Sequence, residues 1–60
     1  MTIQQKLLKE EIKQKMIALQ EERDLEEAHV IADGLLCELL RAFGCKDVVI
    51  EFIKIEKWYA

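Results

Sequence analysis

Sixty residues with 12 acidic and 9 basic side chains make one domain at most, and a chain of this length has little room for a hydrophobic core. The formal charge of -3 disfavours nucleic acid as a partner, since a polyanion is bound by clustered cations. Two cysteines and one histidine are too few for a disulfide framework or a four-ligand zinc site, so the 52% hydrophobic fraction predicts reinforcement by self-association.

The compartment follows from the same composition. The N-terminal segment is polar and charged, and no stretch approaches 18 uncharged apolar residues, so we expect neither export nor a membrane-spanning segment. Two cysteines without framework spacing fit a reducing environment, which predicts a cytoplasmic protein with Cys37 and Cys45 as thiols.

The first helix is predicted over residues 2–23. Good helix formers fill this segment, and apolar residues recur at steps of four, four and three along it, at Leu8, Ile12, Met16 and Leu19. Three other apolar residues lie off this stripe, which indicates contact with more than one neighbour: Ile3, Leu7 and Ile17.

A second helix is predicted over residues 24–43. Asp24, with Glu27 three residues later, is typical of a helix start, and Gly44 is typical of the position just after a helix end. One continuous helix through Arg23 and Asp24 is the alternative, because neither Gly nor Pro interrupts the chain there. The apolar sector covers half of the helical wheel, which predicts partners on two sides and an oligomer interface at Leu35, Leu36, Leu39, Leu40 and Phe43.

The C-terminal segment allows two interpretations. Its β-branched residues favour a strand, but its charges have helical spacing, so a third helix over residues 47–59 capped by Asp47 is preferred. On that helix Trp58 shares a side with Glu51 and Lys54. This arrangement predicts a partner-binding surface, and the alternative is that Trp58 covers the edge of a neighbouring copy.

Four polar residues would form one stripe if the helix is continuous: Glu22, Glu26, His29 and Asp33. One hypothesis is a site for a metal ion or a nucleotide, in which Glu26, His29 and Asp33 bind the ligand. The structural alternative is an i,i+4 pair of His29 with Asp33, either on the surface or at a subunit seam. Leu36 and Leu40 continue the stripe, which favours the seam over the ligand site.

Motifs for catalysis are scarce. The sequence has no serine, no glycine-rich phosphate loop and no second histidine, so we expect a protein without catalytic activity or cofactor. The all-helical nucleotide pyrophosphohydrolases of the MazG type hold magnesium with ExxE and ExxD motifs. This chain has only Glu21 and Asp24 in ExxD order and no ExxE, which makes that enzyme the weaker alternative.

The second half of the chain contains the pattern Ala28-His29, Ala32-Asp33, Leu36-Cys37, Leu39-Leu40, Gly44, Val48-Val49 and Lys57-Trp58-Tyr59-Ala60. This pattern resembles small uncharacterised proteins encoded by phages and prophages of Gram-positive bacteria, which implies that the cytoplasm is that of the host cell. The resemblance implies an accessory protein that binds and inhibits or modulates a host protein, such as an anti-phage defence protein. Together with the helical pattern, we expect an all-α domain over residues 1–60 whose bundle is completed by homo-oligomerisation.

Overall fold

The computed structural model describes residues 1–55, which form three α-helices and no strand. They are α1 (Ile3–Leu19), α2 (Leu25–Ala42) and α3 (Lys46–Ile53). The all-α prediction is therefore confirmed, and the strand alternative for the C-terminal segment is wrong within the described residues. Helical spacing of the charges was the better guide there than the β-branched side chains, since tertiary contacts override β-propensity.

The start of α1 is held by a reciprocal cap. The backbone N–H of Gln5 donates to Thr2 Oγ1 at 3.0 Å, and the N–H of Thr2 donates to Gln5 Oε1 at 2.9 Å. Gln5 also reaches across the fold, because its Nε2 donates to the backbone carbonyl of Ala42 at 3.0 Å. The first turn of α1 is thereby bonded to the last residue of α2, which sets the two helices antiparallel.

The predicted first helix, over residues 2–23, extends four residues too far at its C-terminal end, and Thr2 at its start is the N-cap. After Leu19 the N–H groups of Gln20, Glu21 and Glu22 donate hydrogen bonds to the carbonyls three residues earlier in the chain. Asp24 then takes an extended conformation with ψ 98°. One continuous helix is therefore wrong. The break lets α1 fold back along α2, so that Ile12 is buried at 3% exposure instead of facing water.

Both predicted ends of α2 are confirmed. Asp24 Oδ1 accepts from the N–H of Glu27 at 3.1 Å, as expected of an N-cap. Gly44 has φ 81°, its N–H donates to the carbonyl of Arg41, and the N–H of Cys45 donates to that of Leu40. This pair of bonds is a Schellman motif, which requires a residue that tolerates positive φ.

The third helix starts and ends earlier than predicted over residues 47–59. Its N-cap is Cys45, whose side chain makes no capping bond, so the prediction of Asp47 as the cap is wrong and Asp47 lies in the first turn. The turn at Gly44 leads directly into α3, which begins at Lys46. Residue 47 is therefore already helical and does not take the extended conformation of an N-cap. The helix ends at Ile53, with Lys54 as its C-cap. Residues 56–60 lie outside the described residues.

The three helices form one layer with α2 in the middle. Within residues 1–55, α1 and α3 each contact α2 and do not contact each other. The Cα atoms span 38 × 28 × 8 Å, and the shortest of these dimensions is less than the diameter of about 10–12 Å of one helix with its side chains. None of these three helices is long and apolar enough to cross a membrane.

The core of this layer is small. The predicted stripe on α1 is confirmed, since Ile12 is buried and Leu8, Met16 and Leu19 are half-buried. Ile3, Leu7 and Ile17 off the stripe are exposed. Among the described residues only four apolar side chains are buried, which leaves most of the hydrophobic fraction at the surface: Ile12, Leu35, Cys37 and Val49.

Candidate functional site

The middle helix is buried on two opposite sides. One side faces α1 and contains buried Leu35 with half-buried Ala28, Ala32 and Leu39. The other side contains buried Cys37, which lies about 200° from Leu35 around the helix. This agrees with the predicted need for partners on two sides, and it explains why α1, α2 and α3 lie in one plane.

Between these two buried sides, one face of α2 is open. It lies at about 80–140° from Leu35 around the helix, and we call it the α2 apolar face: Leu25, His29, Leu36, Leu40 and Phe43. All five side chains are exposed, Leu36 at 50% and Leu40 at 37%. Exposed apolar groups on one continuous face are typical of a protein-binding surface.

The opposite face of α2 is polar. It contains Glu27, Gly34, Glu38 and Arg41, with exposed Val30 and Ile31 at its two edges. A face of this kind is normal for a helix surface in water. The layer therefore has two different sides, and only one of them carries a row of large apolar groups on α2.

The predicted oligomer residues divide between the core and this open face. Leu36, Leu40 and Phe43 are on the α2 apolar face, whereas Leu35 is buried at 8% exposure and Leu39 is half-buried on the side toward α1. Leu35 is packed within the chain and has little surface left for a second molecule, whereas half-buried Leu39 keeps part of its surface at the edge of the open face. The open part of the predicted interface is thus the set Leu36, Leu40 and Phe43, with Leu25 as a residue that sequence reasoning did not include.

The four residues of the predicted polar stripe do not all lie on α2. Glu22 precedes α2, and its Oε1 accepts from the N–H of Asp24 at 3.1 Å, so it belongs to the turn and not to the helix surface. Glu26 and His29 are exposed on α2, and Asp33 is half-buried. His29 lies between Leu36 and Leu40 on the wheel, which places it within the α2 apolar face.

Two open grooves run along the junction of α1 and α2. The larger, of about 550 Å³, includes Lys15, Glu22, Ile31 and Leu35 in its lining. The smaller, of about 230 Å³, lies on the side of His29 and is lined mainly by apolar groups, including Met16, Leu19, Leu25, Ala28 and Ala32. The smaller groove extends the α2 apolar face toward α1.

Ligands for a metal ion do not assemble in the described part of the chain. No group of three or more His, Cys, Asp or Glu side chains lies close enough there to share an ion. Cys37 and Cys45 are free thiols, as expected.

The predicted partner-binding residues at the chain's end are described in part. Lys54 Nζ and Glu51 Oε2 form an ion pair at 2.7 Å on the surface, with both side chains more than half exposed. A pair this exposed contributes little to stability. Trp58 lies outside the described residues, so its place beside this pair stays a prediction.

Comparison of the chain with protein-family models, curated proteins and solved structures gave no match. Functional inference therefore depends on the residues and surfaces of this chain itself.

Proposed function

We propose that this chain is a small, non-catalytic, homo-oligomeric accessory protein of phage type that binds a host protein and inhibits or modulates it. The observation that carries the self-association in this proposal is the open α2 apolar face. Large exposed apolar groups cost free energy in water, and proteins keep them mainly where another surface covers them. Leu36 and Phe43 are of the kind that fills pockets on a partner.

The proposal assigns self-association and host binding to two different surfaces. The α2 apolar face serves self-association, and the end of the chain, with Glu51, Lys54 and Trp58, contacts the host protein. Tryptophan is enriched at the energetic centres of interfaces, and the Lys54–Glu51 pair supplies a polar rim of the usual kind. The phage assignment rests on the sequence resemblance, which includes His29 and Leu36 of the face.

Copurification followed by reconstitution tests the host-binding part. The tagged protein is expressed in a Gram-positive host, captured proteins are identified, and each candidate is purified and titrated against the chain by calorimetry. We expect saturable binding with a simple stoichiometry, and a weakening of at least about 30-fold in Trp58→Ala, the effect of an interface hot spot. Ile3→Ala, which removes an exposed apolar group from α1, is the control and should bind like the parent chain.

Other results would contradict the proposed function. Purified candidates that fail to bind, or that bind Trp58→Ala as tightly as the parent, would contradict the assigned partner surface. Hydrolysis of nucleoside triphosphates by the pure protein with magnesium would contradict the non-catalytic assignment and favour the pyrophosphohydrolase alternative. A rise in melting temperature with one nucleotide or metal ion, without turnover, would favour the ligand-binding alternative at Glu26, His29 and Asp33.

A further inference from the structure

The accessible surface of the chain is larger than a compact monomer needs. It measures 5060 Å², whereas a folded monomer of 7.1 kDa is expected to expose roughly 4,100 Å². The excess is roughly 1,000 Å² per chain, close to the 800 Å² or so that each partner buries in a standard stable interface. The chain thus exposes more surface than a compact monomer of its mass, by an amount that one standard interface would cover.

The single layer points to the nature of the missing partner. Stable domains consist of at least two packed layers around one core, and this chain supplies one layer that is 8 Å thick. With four buried apolar side chains among the described residues, the layer has little core of its own to fold around. A second copy is present wherever the chain is made, so it can complete the core before any host protein is met.

The spacing along α2 fits pairing with itself. Leu25, His29, Leu36 and Phe43 of the α2 apolar face, together with Ala32 and Leu39, which are half-buried at its edge toward α1, follow one another at steps of four and three, which is the spacing of a helix-pairing seam. The centre of this row is the level of Gly34, on the opposite side of the helix. An antiparallel two-fold arrangement about this level sets small Ala32 against large Leu36 of the other copy.

A parallel arrangement would fit less well. It would set Ala32 against Ala32 and leave a gap, and it would bring the two His29 rings together. Interdigitation of large and small side chains is what packed cores require. Antiparallel helices also bring the N-terminal end of each macrodipole near the C-terminal end of the other.

We infer that a second copy of this chain packs on the α2 apolar face, with the two α2 helices antiparallel and Ala32 of each copy opposite Leu36 of the other. The inference rests on the self-association in the proposed function and names its surface and register. It assigns Leu25, His29, Leu36 and Phe43 to the subunit interface.

A matched pair of substitutions tests the surface. Leu36→Glu and Val30→Glu add the same charge to the same helix at side chains of nearly equal exposure, 50% and 47%, and the two positions lie about 120° apart around the helix. Light scattering at micromolar concentration should give twice 7.1 kDa for the parent and for Val30→Glu, and should give 7.1 kDa or an unfolded chain for Leu36→Glu. Dissociation by Val30→Glu, or a folded dimer of Leu36→Glu, would overturn the assignment of this face.

Cross-linking tests the register without depending on a disruptive variant. In a background of Cys37→Ala and Cys45→Ser that retains the dimer mass, chains with Ala32→Cys are mixed with chains with Leu36→Cys and oxidised. We expect the mixed disulfide to dominate, because opposed positions bring Cα atoms within disulfide range. Val30→Cys mixed with Glu38→Cys is the control, since these positions are also symmetric about Gly34 but lie on the polar side of the helix, and it should stay uncross-linked.

The remaining outcomes separate this inference from the proposed function. A dominant Leu36→Cys homodisulfide, or cross-linking of the control pair alone, would overturn the antiparallel seam while self-association stands. A parent chain of 7.1 kDa that still binds a purified host protein would overturn the second copy as the occupant and leave host binding intact.

Discussion

The side chain of Gln5 forms hydrogen bonds both at the start of α1 and at the end of α2. Its Oε1 accepts from the N–H of Thr2, and its Nε2 donates to the carbonyl of Ala42, 37 residues away in the sequence. The same side chain thus caps α1 and satisfies a carbonyl in the last turn of α2, which lacks a partner within its own helix. It joins a local element to the tertiary arrangement.

Gln5→Glu should separate these two roles. The carboxylate still accepts from Thr2, but it no longer donates to the Ala42 carbonyl and sits near the negative end of α2. We expect a loss of about 1 kcal/mol in the free energy of unfolding, measured by urea titration. Gln4→Glu carries the same charge one residue earlier and is the control. Equal stability of the two variants would show that the bond to Ala42 contributes nothing.

Substitution of the two glycines by alanine should change the stability of the fold in opposite directions. Gly44 has φ 81°, which strains any residue with a Cβ, so Gly44→Ala should lower stability by about 1 kcal/mol or more. Gly34 lies inside α2, where an added Cβ would meet nothing within 4 Å, so Gly34→Ala should raise stability by about 0.5–1 kcal/mol. Thermal melts of both variants check this, and a stabilising Gly44→Ala would contradict the Schellman end of α2.

Ile12 is the centre of the α1–α2 contact. Ile12→Ala should cost about 2–5 kcal/mol, since its side chain is 3% exposed and its removal leaves a cavity. Ile3→Ala, the same change at an exposed position of the same helix, should change stability by less than about 0.5 kcal/mol. Urea midpoints compare the two. Similar losses in both variants would mean that Ile3 is covered in solution by another surface.

Substitutions at His29 and Asp33 distinguish a role at the subunit seam from a role in a ligand site. If they lie at the subunit seam, His29→Ala and Asp33→Ala should each weaken the dimer, seen as a fall in mass on dilution in size-exclusion chromatography with light scattering. Glu27→Ala, on the polar face, is the control and should keep the parent's mass. Intact assembly in both variants would reject the seam, and loss of host binding with assembly intact would indicate a ligand or partner site instead.

Sequence by itself determined the presence of three helices and both ends of α2. Steps of three and four in the apolar residues place α1 and α2, and the cap residues Asp24 and Gly44 act through hydrogen bonds to groups within four residues. Thr2 and Gln5 carried the same kind of local signal for the start of α1 and were not used to predict it. Local bonds of this kind depend on little beyond the neighbouring residues.

Tertiary structure decided which apolar residues of α2 are covered. Leu35 and Leu36 are adjacent and equally apolar, yet one is 8% exposed and the other 50%. The wheel of α2 shows a broad apolar sector but not where α1 and α3 lie against it, because that depends on the paths of the turn after Leu19 and the turn at Gly44. The break that ends α1 early has the same origin, since folding back to bury Ile12 outweighs the few helical bonds lost between residues 20 and 24.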